Sequence, residues 1–176
     1  IQVQATSWPK PPQGWTALSI AGTFVDESGE ASAGMILRNP DGSVIFSAYR
    51  YLLYCKDVLE AEISAILEGL SLSLERSDLP TVIHSENPIV VAALTDDSLD
   101  RSAYGHLMTE IKKLLELCGF ISLKIARNQN RVAYSPVNIG HSSGSTACWL
   151  RQVLYSVSKF VLIDYNTIIE DLSRKK

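Results

Sequence analysis

One acidic side chain stands out from the sequence alone as a candidate for chemistry. Glu62 comes three residues after Leu59 and four before Ile66, which places a carboxylate within the apolar stripe of an amphipathic helix. A buried carboxylate needs a partner, a metal ion or a raised pKa to offset the cost of leaving water. The alternative is an ordinary residue near a helix N-terminus, stabilised by the helix dipole. Both interpretations of Glu62 stay open at this point.

Other patterns give little support to a catalytic or ligand-binding function. The segment from Gly140 to Gly144, which contains His141, is interpreted as a loop with surface residues, and the chain has no P-loop. Asp164 and Asp171 lie seven residues apart, near one face of a predicted helix. We expect that face to be solvated.

Composition describes a compact domain. The chain has 176 residues, of which 46% are apolar and 20% charged, and no apolar run approaches the roughly 20 residues that span a bilayer. The formal net charge of −3 argues against a broadly basic nucleic-acid binder, although a local basic patch stays open. Three scattered cysteines favour a reducing compartment, cytoplasm or nucleus, over a disulfide framework or a zinc site. No targeting signal is readable. Whether the chain is part of a longer protein and which oligomeric state it has both stay open.

The elements that must position Glu62 follow from hydrophobic periodicity. Strands are expected from residue 16 and over about 31–38, 43–51, 81–85 and 120–126, and helices over about 58–76, 88–94, 104–118 and 160–176. A helix over 130–139 is doubtful because Pro136 falls inside it. This order predicts an α/β fold with a mixed five-stranded sheet, three strands antiparallel and two parallel, flanked by helices.

Three segments are expected along the chain. Residues 1–15 contain three prolines and form an extended lead-in. Residues 16–150 form the α/β domain. Residues 151–176 form a helical extension whose apolar stripe packs on the domain or on a partner.

Short sequence motifs in the chain resemble those of the plant RNase H-like domain family, which is related to type 1 RNase H and to the RNase H modules of reverse-transcribing elements. The resemblance covers about residues 8–150. It rests on five motifs in order, Ile20-Ala21-Gly22-Thr23-Phe24, Ala33-Gly34-Met35-Ile36-Leu37-Arg38, Asp41-Gly42-Ser43-Val44-Ile45, Glu60-Ala61-Glu62 with Ala65 and Glu68-Gly69-Leu70, and Asn130-Arg131-Val132-Ala133.

The resemblance also identifies the positions of the family's four metal-binding carboxylates. Active members use them to hold two divalent cations, Mg²⁺ or Mn²⁺, that cleave RNA. In this chain the four positions carry Ala21, Glu62, Glu86 and Tyr134. Ala21 has no oxygen ligand, Glu86 is one methylene longer than the family's Asp, and a neutral tyrosine is a poor Mg²⁺ ligand. The resemblance therefore implies a degenerate site, with Glu62 and Glu86 as remnants that bind metal weakly or not at all and with no cofactor expected.

Two classes of function follow from this comparison. The first is a catalytically inactive scaffold that binds a protein partner, an RNA–DNA hybrid or RNA, and not a membrane. The alternative is an endoribonuclease of RNA–DNA hybrids that uses Glu62 and Glu86 with Mg²⁺ or Mn²⁺. An engineered Asp→Ala change at Ala21 is disfavoured by Tyr134, and a domesticated mobile-element fragment without a retained role is compatible with the same residues.

Overall fold

The computed structural model describes residues 7–134, 146–151, 161 and 164. In this part of the chain the strands are β1 (Thr16–Phe24), β2 (Ala31–Arg38), β3 (Val44–Leu52), β4 (Thr81–Ser85), β5 (Phe120–Lys124) and β6 (Ala147–Leu150). The helices are α1 (Val58–Arg76), α2 (Pro88–Ala93) and α3 (Gly105–Leu115), and a 3₁₀ turn at Arg127–Gln129 precedes helical residues 131–134. The α/β class predicted from the sequence is confirmed.

The sheet is mixed, with strand order β5-β4-β1-β2-β3-β6. β1, β2 and β3 form an antiparallel meander, while β4 is parallel to both β1 and β5. The turn between β2 and β3 closes with a hydrogen bond of 2.9 Å from the Gly42 N–H to the Asn39 carbonyl. Gly42 has a φ of 87°, a region that glycine reaches without steric cost, and this explains the hairpin signal of Asp41-Gly42.

A sixth strand corrects the expectation of five. Residues 147–150, Ala-Cys-Trp-Leu, pair antiparallel with residues 46–49 of β3. β3 would otherwise end the sheet with a row of unpaired backbone groups, and this short apolar run satisfies them. Four residues are too few for an alternation that sequence periodicity can detect, so the strand was missed.

The main core lies between the sheet and α1. Leu18 and Ile20 of β1 face Ile63, Ile66 and Leu70 of α1, and all five are buried. The helix begins and ends as predicted. Its N-cap is Asp57, whose carboxylate accepts the Glu60 N–H at 2.9 Å, and the cap fixes the start of the helix that carries Glu62.

A polar cluster fills the opposite face of the sheet. The Arg38 guanidinium is fully buried, lies 3.7 Å from the centre of the Trp8 ring, and donates to Asp164 at 2.6 Å. His84, also fully buried, is 3.3 Å from the Ser19 hydroxyl. The solvated face expected for Asp164 is therefore wrong, because a buried guanidinium needs a counter-charge and draws this carboxylate out of water.

Several element ends differ from the sequence analysis. α3 ends earlier than expected because the Leu117 and Cys118 N–H groups donate to the carbonyls of Leu114 and Leu115, which forms tighter turns before Gly119. The loop expected at 140–145, half of the doubtful helix 130–139 and most of 151–176 lie outside the described residues. No helix in the described part of the chain combines the length and apolar character that a bilayer span requires.

Candidate functional site

Ala21 lies in the middle of the sheet, in apolar surroundings. It is 2% exposed, stands opposite Gly34 of β2, and packs with Ile36, Val132 and Ala133. Its methyl group offers no ligand atom and no acidic proton, and the buried residues that it packs with have apolar side chains. The first position that the resemblance assigns to a carboxylate is thus part of a small hydrophobic cluster.

Gly22, the next residue of β1, sets how closely α1 approaches the sheet. A Cβ added to Gly22 would lie 2.8 Å from the Glu62 amide nitrogen and 2.9 Å from its Cγ. Only a glycine lets the helix backbone come this near. The close approach places Glu62 beside the end of β1, next to the residues that follow β4.

Glu62 is buried and has a specific partner. It is 8% exposed, and its Oε2 accepts a hydrogen bond of 2.8 Å from the Asn87 amide. Burial raises the pKa of Glu62, the Asn87 hydrogen bond opposes that rise, and the negative charge of Glu86 adds to it. The sequence predicted that a buried Glu62 needs a partner, and in the structure that partner is the Asn87 amide.

Glu86 and Tyr134 meet at the end of β4. The Tyr134 hydroxyl donates to Glu86 Oε2 at 3.2 Å, and Glu86 Oε1 is buried without a partner in the described part of the chain. The Arg127 guanidinium lies 4.1 Å from the centre of the Tyr134 ring. Burial and the nearby Glu86 charge raise the pKa of Tyr134 to about 12, so the phenol is neutral at pH 7.

Asn130 fixes Tyr134 in this position. Its side chain is 1% exposed and donates to the Ile20 carbonyl at 2.8 Å, while its own carbonyl accepts the Tyr134 N–H at 3.4 Å. The first turn of the helical residues 131–134 is therefore tied to β1. This explains why Tyr134, which directly follows the motif beginning at Asn130, lies beside Glu86.

The four positions come together, but their side chains do not fit a pair of divalent cations. Mg²⁺ requires several oxygen ligands in a near-octahedral arrangement, usually carboxylates. Ala21 supplies none, Tyr134 is protonated and already donates to Glu86, and one Glu62 oxygen is taken by Asn87. Within the described residues, no group of three or more His, Cys, Asp or Glu side chains is placed to hold a metal ion.

Sequence reasoning missed two residues of this cluster. Asn87 holds Glu62 and also accepts the Ile89 N–H at 3.0 Å, which caps α2. Its position before Pro88 is a recognisable N-cap signal, but the link to Glu62 depends on the fold. No sequence pattern indicated Arg127, because its contact with the Tyr134 ring depends on the turn that lies between the two residues. His141 and Asp171 lie outside the described residues.

A family model described as reverse transcriptase-like matches residues 19–140, which is more than half of the chain. The match begins in β1, before Ala21, and continues past Tyr134, so it includes all four positions of the cluster. No curated protein sequence matches the chain.

Solved structures of type 1 RNase H share the fold. LC11-RNase H1, solved in complex with an RNA/DNA hybrid, has a TM-score of 0.66 at 15% identity, over 73% of this chain and 98% of that one. RNase H1 from the archaeon Halobacterium salinarum has a TM-score of 0.66 at 16% identity, over 75% of this chain and all of that one. The N-terminal RNase H domain of a Mycobacterium tuberculosis protein has a TM-score of 0.67 at 14% identity, over 72% and 98% respectively.

Proposed function

Because the chain belongs to the reverse transcriptase-like family and has the RNase H fold, we propose that it is a catalytically inactive RNase H-like module that binds an RNA–DNA hybrid or RNA. The observation that carries the loss of activity is the hydrogen bond of 3.2 Å between Tyr134 and Glu86. In place of an open cluster of anions, this position holds a neutral phenol paired with one remaining carboxylate. Plant origin stays a prediction.

The surroundings of Ala21 support the same proposal. The resemblance implies a carboxylate there that bridges the two cations, whereas the Ala21 methyl group packs with Ile36, Val132 and Ala133. Glu62 adds to the argument because one of its carboxylate oxygens already accepts a hydrogen bond from the Asn87 amide. The lack of nuclease activity does not depend on Tyr134 alone.

Nucleic acid is the first partner to test because the fold of this chain is shared with LC11-RNase H1, which was solved with an RNA/DNA hybrid. A fold does not fix a function, so binding requires its own measurement. If the chain contacts phosphates, the logarithm of its affinity for a hybrid falls linearly with the logarithm of salt concentration. The absence of salt-dependent binding would direct the search to a protein partner.

The decisive experiment measures cleavage of a labelled RNA–DNA hybrid in Mg²⁺ and in Mn²⁺. The chain is compared with the triple variant Ala21→Asp, Glu86→Asp and Tyr134→Asp. We expect no metal-dependent cleavage by the chain and measurable cleavage by the variant. Cleavage by the unmodified chain that Glu62→Gln abolishes would overturn the proposal.

Folding of the variant must be controlled, since a carboxylate at position 21 enters an apolar cluster. Circular dichroism and thermal melting with and without Mg²⁺ show whether it folds, and metal should raise its Tm. Adding Glu62→Gln to the triple variant is the matched control. It should remove cleavage again if the restored activity uses the four assigned positions.

A second candidate function is the hybrid-specific endoribonuclease, with Glu62 and Glu86 as surviving ligands. One observation favours it: Glu86 Oε1 is buried and unpartnered among the described residues, and the Glu86 charge acts on Glu62. A single cation near both carboxylates would satisfy that oxygen. Paramagnetic broadening by Mn²⁺ tests this candidate, because signals of residues around Glu62 and Glu86 must broaden at low Mn²⁺ concentration and must not in Glu62→Gln/Glu86→Gln.

A further inference from the structure

A concave surface at the far end of α1 carries two exposed arginines. It has a volume of about 580 Å³ and lies between the β2–β3 turn, the end of α1 and the residue after β6. Among the residues that the structure describes, its polar lining consists of Asn39, Ser43, Arg76, Ser77 and Arg151 and includes no acidic residue. The concavity is separate from the Glu62 cluster, by which we mean Glu62, Glu86 and Tyr134. The 14 residues of helix from Glu62 to Arg76 span about 21 Å.

The two guanidinium groups are available to a ligand. Within the described part of the chain, neither Arg76 nor Arg151 forms a salt bridge, and both are exposed. Ser77 accepts the Leu79 N–H at 3.2 Å through its hydroxyl oxygen, which leaves the hydroxyl hydrogen able to donate. Three donor groups, two of them cationic, therefore line one concavity.

The opposite wall is fixed by its own hydrogen bonds. The Asn39 amide donates to the Ser43 hydroxyl at 3.0 Å, and that hydroxyl donates to Asp41 at 2.6 Å. Asp41 also accepts the Ser43 N–H at 2.9 Å, so its carboxylate is held within the turn and is not part of the lining. The turn therefore gives the concavity a preformed side.

Arg151 has an unusual backbone conformation. Its φ is 53°, and among the described non-glycine residues it alone has a positive φ. Its N–H donates to the Ile45 carbonyl at 2.8 Å, which anchors the chain where β6 ends. A left-handed conformation at a non-glycine residue is unfavourable and is often found at functional positions. Here it accompanies an arginine side chain that lines the concavity.

We propose that this concavity is a binding site for a phosphate-type oxyanion, held by Arg76, Arg151 and Ser77. A guanidinium presents its N–H groups as a planar fork that matches two oxygens of a phosphate, and its positive charge strengthens each hydrogen bond. Two such groups with a hydroxyl donor suit a tetrahedral anion better than a planar carboxylate. The inference does not rest on the function proposed for the Glu62 cluster.

The test is a two-dimensional NMR titration of the full chain with sodium phosphate, against sodium chloride at equal ionic strength. We expect saturable shifts of amide signals from residues 39–45, 76, 77 and 151 with phosphate only. The variant Arg76→Gln/Arg151→Gln should weaken phosphate binding by about tenfold or more. Arg101→Gln/Lys124→Gln removes the same charge from exposed residues elsewhere and should leave phosphate affinity unchanged.

Shifts that chloride reproduces, that do not saturate, or that persist in Arg76→Gln/Arg151→Gln would overturn the proposal. Titrations with a nucleoside monophosphate and a short single-stranded RNA then identify the source of the phosphate. Tighter binding of the RNA than of inorganic phosphate, lost in the same variant, assigns the site to a phosphodiester backbone. Equal binding of the monophosphate and inorganic phosphate, with no gain for RNA, assigns it to a small phosphorylated molecule.

Discussion

Tyr134 donates its phenolic hydrogen to Glu86 across 3.2 Å, and the two residues are 48 positions apart in the chain. The pair joins the helical residues 131–134 to the end of β4, beside Glu62. Glu86 therefore has one oxygen satisfied by a neutral side chain, at the place where the family resemblance implies two ionised carboxylates. This contact is the structural basis of the proposed loss of catalysis, and its energetic contribution can be measured.

Removing the Tyr134 hydroxyl should destabilise the fold. Tyr134→Phe leaves Glu86 Oε2 without its donor, while Oε1 is already buried and unpartnered in the described part of the chain. We expect the free energy of unfolding to fall by about 1.5–3 kcal/mol, as for other hydrogen bonds to a charged group. Urea denaturation of the two proteins measures the difference.

A matched control is available for that variant. Tyr51 donates to Glu30 at 2.6 Å on the protein surface, so Tyr51→Phe removes the same group from an exposed pair. Water replaces the lost donor there, and little change in stability is expected. Equal losses in the two variants would mean that the Tyr134–Glu86 contact has no special contribution.

The Arg38–Asp164 pair should be strongly coupled to folding. Asp164→Asn removes the counter-charge of a guanidinium that is 0% exposed, and breaking such a buried pair costs about 3–5 kcal/mol. Chemical denaturation should show this loss. Asp97→Asn, which breaks an ion pair in which the carboxylate is 93% exposed, should have no measurable effect.

Replacing both members of the buried pair distinguishes the loss of the ion pair itself from the cost of leaving one buried charge without a partner. The double variant Arg38→Met/Asp164→Leu removes both charges, so it should recover most of the stability lost in Asp164→Asn. Failure of Asp164→Asn to destabilise the protein would show that the buried Arg38 does not depend on Asp164 as its counter-charge.

His84 should make the protein sensitive to mild acid. Burial, and to a smaller extent the nearby Arg38 charge, lower the pKa of His84 from 6.5 to about 3. Between these pKa values the unfolded chain binds a proton that the folded chain does not, so stability present above pH 6.5 is lost as pH falls. The limiting slope is about 1.4 kcal/mol per pH unit.

Denaturation midpoints at pH 7, 6 and 5 measure this slope, and His84→Gln should flatten it. His106→Gln removes an exposed imidazole from α3 and serves as the control. An unchanged pH dependence in His84→Gln would show that other groups cause the acid sensitivity. Glu62 and Asp164 act in the opposite direction, because burial raises the pKa of each carboxyl and the folded chain then binds protons more readily than the unfolded chain.

Gly22 should tolerate no side chain. In Gly22→Ala the new Cβ would meet the Glu62 amide nitrogen at 2.8 Å, and this backbone atom cannot move without shifting α1. We expect a loss of about 1–3 kcal/mol, as for other overpacked core positions, with altered NMR signals around Glu62. Gly69→Ala should be less costly, because its Cβ meets only Leu18 methyl groups at 3.0 Å and gains helix propensity.

The sequence by itself determined the class of fold and most of its elements. α1 has the predicted bounds because Leu59, Ile63, Ile66 and Leu70 repeat at helical spacing. The turn between β2 and β3 lies where Asp41-Gly42 predicted it because such a turn depends only on its own φ angles. The family resemblance is confirmed by the match over residues 19–140. The sequence also identified Glu62 as a carboxylate that requires compensation.

Only the tertiary structure decided how that compensation is made. Asn87 reaches Glu62, Tyr134 reaches Glu86, and Asp164 reaches Arg38 across separations of 25, 48 and 126 residues. β6 and the position of Arg151 likewise depend on the open edge of β3. The physical reason is the same in each case: periodicity records which face of an element is buried, whereas the partner of a buried polar group is fixed by which elements the fold brings into contact.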